Sequence, residues 1–155
     1  MNSNIRSPRR RFGFEFSVLA RQWRRVLERE LEQAGLTDAT WAPLLHLDRL
    51  GDGVTQKALA AAVGIDGSSL VRLLDILASK EWIERRIGDE DRRARLIHLT
   101  PAGREAVERV QEILFEAEKP LLEDISEKEI AAAVALFEKL SPRVRTLLEE
   151  EERDT

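Results

Sequence analysis

Five arginines fall between residues 85 and 95: Arg85, Arg86, Arg92, Arg93 and Arg95. Asp91-Arg92-Arg93 lies between two short β-prone runs, where a small hairpin would turn. A hairpin of this size encloses no catalytic site. It can present a guanidinium to a groove of duplex DNA, where a narrow A/T-rich minor groove attracts cationic side chains. A few residues earlier, Ser68, Ser69 and Arg72 share the polar side of a helical pattern. An Arg on such a face can donate two parallel hydrogen bonds to guanine O6 and N7, the commonest base-specific contact. The alternative for Arg72 is an ion pair with Asp75 on a solvated face.

The whole chain is acidic, with a net charge of −4 over 155 residues. The charge is polarised: residues 1–30 carry +5 and residues 101–155 carry −7. Salt screens charge beyond ~8 Å at physiological ionic strength, so DNA responds to the local arginines and not to the total. Cysteine is absent, which excludes disulfides and zinc-thiolate centres. No apolar run approaches the ~20 residues of a membrane helix. Residues 1–11 lack the apolar stretch of a secretory signal, so a cytoplasmic location is expected.

Positioning these residues requires several helices. Phe12, Phe16, Leu19, Trp23, Val26, Leu27 and Leu31 recur at helical spacing and predict one helix over 12–34. Thr37 is the expected cap of a second helix bearing Trp41, Leu44, Leu45 and Leu47, with a kink at Pro43. Thr55 should cap a short helix stopped by Gly64. A helix from Gly67 to Ser79 should follow, capped by Asp66 or Ser68 and burying Leu70, Leu73, Leu74 and Leu77. Together these two helices make a helix-turn-helix pattern. Trp82–Ile87 and Arg95–Leu99 read as strands joined through Gly88-Asp89-Glu90. Thr100-Pro101 then starts a helix that should end before Pro120. A last helix follows Ser126, bends or restarts at Ser141-Pro142, and gives way to a solvated acidic tail at Glu149–Glu152.

Apolar residues spaced by 3 and 4 in the first helix and in the two C-terminal helices form seams too large for one chain to cover, so a symmetric homodimer is expected. The fold class is therefore mainly α with a small β-hairpin wing. Residues 36–103 form a winged helix-turn-helix DNA-binding domain. Residues 12–34 and 104–150 form a helical dimerisation lobe, and residues 1–11 a flexible basic arm.

The order of these pieces resembles the MarR family of winged-helix transcription regulators, and within it the SlyA branch. The resemblance rests on Ala20-Arg21-Gln22-Trp23-Arg24, Leu36-Thr37 with Trp41, Val63-Gly64-Ile65, Ser69-Leu70-Val71-Arg72, Leu74-Asp75, and Asp91-Arg92-Arg93-Ala94 through Leu99-Thr100. It implies a sequence-specific regulator, a repressor or anti-silencer, on pseudo-palindromic operators. The Gly67–Ser79 helix would enter the major groove with Ser68, Ser69 and Arg72. Arg93, with Arg92 alongside, would enter the minor groove. Arg85 or Arg86 would reach phosphate, and Asp91 would hold an arginine side chain in place. Small aromatic carboxylates or phenols would release the DNA from a pocket involving Arg21, Trp23, Arg24 and Trp41, although both indoles also lie on apolar faces suited to a core. Three positions depart from the family pattern. Glu81 replaces the usual Gly after the recognition helix, and Ala39 and Leu45 replace polar pocket residues.

Other classes fit less well. His46 and His98 are the only histidines, and no phosphate loop or nucleophile elbow occurs. No catalytic residue, metal site or cofactor is expected. A helical dimerisation or adaptor protein without ligand response would explain the seams but not the arginine hairpin.

Overall fold

A computed structural model describes residues 7–37 and 39–153. Six helices and three short strands run in the order α1 (Pro8–Gln33), α2 (Trp41–Leu50), β1 (Val54–Thr55), α3 (Gln56–Val63), α4 (Gly67–Ser79), β2 (Ile83–Ile87), β3 (Arg95–Leu99), α5 (Pro101–Leu122) and α6 (Glu127–Arg153). The chain divides into two compact units between Glu118 and Lys119.

Most boundaries follow from local caps. Thr55 Oγ1 accepts from the Ala58 N–H, and Gly64 ends α3 in the left-handed region at φ 78°. Asp66 caps α4 by accepting from the Ser69 N–H at 2.8 Å. Ser126 and Glu129 exchange hydrogen bonds at the start of α6, each side chain accepting from the other's N–H.

Other boundaries differ from the sequence expectation. The first helix starts at Pro8, so Arg9, Arg10 and Arg11 lie in its first turn and not in a flexible arm; residues 1–6 of that arm lie outside the described residues. Proline suits this position because the first helical N–H groups have no intrahelical partner. The second helix is flanked by Thr40 and not by Thr37. Pro43 consequently falls in its first turn, where the missing N–H removes no helical bond and no kink is required. Helix α5 continues through Pro120 to Leu122, and α6 continues through Pro142 and the glutamates to Arg153.

Leu31, Leu44, Leu47, Leu59, Leu70, Leu74, Leu77, Ile83, Ile97, Leu99, Val107 and Val110 form the core of the first unit. The three strands make an antiparallel sheet in the order β1-β3-β2, with Val54 opposite Ile97 and Ile83 opposite Leu99. The two-residue β1 is too short for a pattern of alternating hydrophobicity, and the sequence reading missed it. In α1 only Leu27 and Leu31 are buried, while Phe12, Phe16 and Leu19 stay exposed.

The junction between α4 and β2 fixes the end of α4. The Glu81 N–H donates to the Ala78 carbonyl at 2.9 Å, and the Trp82 N–H to the Leu77 carbonyl at 3.1 Å. This is the Schellman arrangement, with Glu81 itself at φ 59°. The glycine usual in the family is replaced, yet the left-handed turn is kept. Thr100 holds it: its hydroxyl donates to the Glu81 carbonyl at 2.6 Å, and its N–H donates to the Trp82 carbonyl at 3.0 Å. The same hydroxyl oxygen accepts from the Gly103 N–H, capping α5. A Cβ on Gly103 would stand 1.9 Å from the Trp82 carbonyl oxygen, so only glycine fits there.

Two substitutions test this junction with opposite signs. Glu81→Gly should raise stability by about 1 kcal/mol, because glycine relieves a left-handed strain of order 1–3 kcal/mol and returns part of it as unfolded-state entropy. Gly103→Ala should cost about 3 kcal/mol by overpacking against backbone. Chemical denaturation of both variants provides the measurement.

Candidate nucleic-acid interface

Helix α4 buries Leu70, Leu73, Leu74 and Leu77 and turns Ser68, Ser69, Arg72 and Asp75 to solvent. This division follows from helical periodicity. The serines are not loose. The Ser68 hydroxyl donates to Asp66 Oδ1 at 2.6 Å, and the Ser69 hydroxyl donates to Asp66 Oδ2 at 2.7 Å. These two hydroxyls and the Ser69 N–H hold the Asp66 carboxyl far below the usual carboxylate range, the Ser68 bond contributing most.

Arg72 has no hydrogen bond or ion pair among the described residues. The pairing with Asp75 that its spacing allows does not form. Asp75 Oδ1 instead accepts from Arg85 Nη2 of β2 at 2.7 Å. Arg86 projects to the opposite face of the strand and pairs with Glu84. The sequence reading placed Arg85 and Arg86 toward phosphate and did not foresee either pair. The Asp75–Arg85 contact joins elements ten residues apart, and only the path of the chain brings them together.

The hairpin between β2 and β3 closes tightly. The Gly88 N–H donates to the Ala94 carbonyl, and the Ala94 N–H to the Asp91 carbonyl. A Cβ on Gly88 would come within 2.9 Å of the Asp91 carbonyl oxygen. Asp91 Oδ1 accepts from the Arg93 backbone N–H at 2.9 Å. Asp91 thus supports the wing through backbone, and not by gripping an arginine side chain as the sequence suggested. Arg95 Nη1 donates to the Arg92 carbonyl at 3.1 Å, bracing the tip from the strand side. The Arg92 and Arg93 side chains are exposed and enter no ion pair among the described residues.

A second feature lies where the end of α1 meets the start of α2. A shallow cavity of about 160 Å³ is lined by Glu28, Glu32, Leu36, Thr37, Ala39 and Trp41. The Arg24 guanidinium stands 5.3 Å from the Trp41 ring centre and donates from Nε to Glu28 at 2.9 Å. Arg21 and Trp23 do not line this cavity. Arg21 is exposed, and Trp23 Nε1 donates to Glu118 of α5 at 3.1 Å. Among the described residues no group of three or more His, Asp or Glu side chains could hold a metal ion. Among the described residues no helix is long and apolar enough to cross a membrane.

This arrangement of helices, sheet and wing matches known proteins. Residues 34–94 match the MarR family. A crystal structure of the transcriptional regulator PA3341 is 36% identical, covers 87% of this chain and 98% of its own, and superposes with a TM-score of 0.75. The chain belongs to the MarR family. Wild-type MarR from E. coli in its apo form is 25% identical over 83% of this chain and 95% of its own, with a TM-score of 0.71. A MepR mutant from S. aureus bound to an oligodeoxyribonucleotide is 28% identical over 86% of this chain and 97% of its own, with a TM-score of 0.56. The fold is the winged helix of MarR-family transcription regulators, as the order of motifs implied.

The Asp66 cap has a signature in acid. Its folded-state pKa is depressed, so its contribution to stability is complete above the unfolded carboxylate value near ~4 and is lost as pH falls through the folded value. Asp66→Ala should therefore melt below wild type at pH 7, and the gap should narrow as the pH drops below about 4. Thermal melts across pH provide the check.

Proposed function

We propose that this MarR-family regulator acts as a homodimer on a pseudo-palindromic operator, as a repressor or anti-silencer of the SlyA type. In this reading α4 enters the major groove and the Arg92-Arg93 wing enters the minor groove. The observation that carries the reading is the distribution of free arginines in an acidic chain. Arg85 and Arg86 are paired with carboxylates, whereas Arg72, Arg92 and Arg93 are exposed and unpaired among the described residues. An unpaired guanidinium loses no intramolecular partner when it meets DNA. Ser68 and Ser69 border the same face of α4, and Arg86 on the outer face of β2 is the strand's candidate for phosphate. The MepR structure is a relative bound to an oligodeoxyribonucleotide, which supports this reading.

Dimerisation is supported by apolar side chains left open. On α1, Phe12, Phe16 and Leu19 share one stripe and are each more than 40% exposed. On α6, Val144, Leu147 and Leu148 are each more than half exposed. Exposed apolar stripes such as these mark interaction surfaces, and a symmetric second copy would cover them. A cytoplasmic location fits a regulator that acts on DNA.

The effector reading centres on Trp41. A small aromatic acid or phenol would stack its ring on this indole and take Arg24 as its charge partner, displacing Glu28. A cavity of about 160 Å³ suits only a small ligand. Arg21 and Trp23, which do not line the cavity, have no part in this reading.

Two outcomes are expected for DNA. Arg93→Ala should weaken operator binding by about 1–3 kcal/mol with the fold intact. Arg72→Ala should relax base preference by ~1–3 kcal/mol at one position per half-site. Titrations at fixed salt on sequences selected from random DNA separate these effects, and equal loss on every sequence would make Arg72 a phosphate contact. For the effector, Glu28→Gln frees Arg24 and should strengthen binding of salicylate-like acids several-fold. Unchanged melting temperatures for wild type and variant across a panel of such acids would count against the pocket.

A further inference from the structure

Arg72 and Asp75 lie three residues apart on α4, so their side chains are neighbours on one helical face, with Cβ atoms about 5–6 Å apart. That spacing puts the Asp75 carboxylate within reach of the Arg72 guanidinium. The pair does not form. Asp75 is taken by Arg85 at 2.7 Å, and Arg72 is left free. The reason lies in the sheet. Arg85 is paired in register with the fully buried Ile97 and shares its strand face with Ile83, 4% exposed. That face turns toward the core, so the Arg85 stem leaves the sheet beside α4. Its side chain is 30% exposed, against 62% for Asp75 and 60% for Arg86 on the other face. A guanidinium anchored on a hydrogen-bonded strand and partly shielded from water loses less entropy on pairing than one on an open helix surface.

We infer that Arg85 is a positioning residue that works through Asp75: by occupying this carboxylate it keeps Arg72 available for base recognition. The inference rests on the reading of α4 as the major-groove helix, and it assigns Arg85 a part other than phosphate contact. It also gives Asp75 a function, since this acid on the exposed face of a DNA-binding helix would otherwise repel phosphate or capture Arg72. The Asp75–Arg85 pair also ties α4 to the first strand of the wing, so the two DNA-reaching elements share one electrostatic joint.

The test is a double-mutant cycle read out on DNA. Full-length wild type, Arg72→Ala, Arg85→Ala, Asp75→Asn and the Asp75→Asn/Arg85→Ala double variant are titrated at several salt concentrations. The probes are the best duplex selected from random DNA by the wild type and its single-base variants. Arg85→Ala should lose base discrimination at the position where Arg72→Ala loses it, by roughly tenfold, with little change in the slope of log K against log salt. The double variant should recover that discrimination, because a neutral Asn no longer competes for Arg72, and Asp75→Asn alone should keep it. A merely structural ion pair would show no such recovery. The inference is overturned if Arg85→Ala weakens all sequences alike, makes the salt slope shallower by about 0.9, and is not rescued by Asp75→Asn; Arg85 is then a phosphate contact. If Arg72→Ala leaves discrimination untouched, the reading of α4 fails first and this inference falls with it. Thermal melts confirm folding of each variant, and Arg85→Gln carries the same test should Arg85→Ala unfold.

Discussion

Glu81 holds a backbone conformation that favours glycine, and Thr100 is what fastens it there. One hydroxyl donates to the Glu81 carbonyl and accepts from Gly103, joining the end of α4 to the start of α5. The neighbouring Trp82 carbonyl lies so close to Gly103 that no side chain fits between them. This junction sets the exit of α4 and the entry of β2 together. Everything proposed for DNA depends on it. Arg72 is carried by the helix on one side of the turn, and Arg85, Arg92 and Arg93 by the hairpin on the other.

Within that frame the chain handles charge by pairing. A net charge of −4 would oppose DNA if it were spread evenly. Instead several carboxylates around α4 and the hairpin are engaged. Asp66 is held by two serines, Asp75 by Arg85, Glu84 by Arg86 and Asp91 by the Arg93 N–H. Asp52, at the turn before β1, is likewise drawn in. Partial burial pushes its carboxyl up, but the Leu99 N–H and Arg104 outweigh this and hold it below its ordinary value. Engaged acids have less freedom to capture the arginines that matter, so local geometry decides the field that a DNA groove meets.

Features that rest on a few adjacent residues were legible in the sequence. Thr55, Asp66 and Ser126 cap helices because their oxygens reach an N–H two or three residues on, and that reach needs no tertiary partner. The bounds Gly67–Ser79 and Arg95–Leu99 match the expectation for this reason. Pro43 and Pro120 misled it, because the effect of a proline depends on where the helix begins and on what its neighbours hold in place. The two-residue β1 has no pattern of its own and exists only because β3 offers it a ladder.

The sequence by itself determined the family, the helix-turn-helix and the arginine wing, since spacing, caps and turn residues act over a handful of positions. The tertiary structure alone decided which arginines are free. Arg72 and Asp75 are close in sequence, yet Arg85 from the sheet takes the acid. The Asp91 carboxylate went to a backbone N–H and not to a side chain. Ion pairs are chosen by competition among all groups within reach, and reach is set by the path of the folded chain.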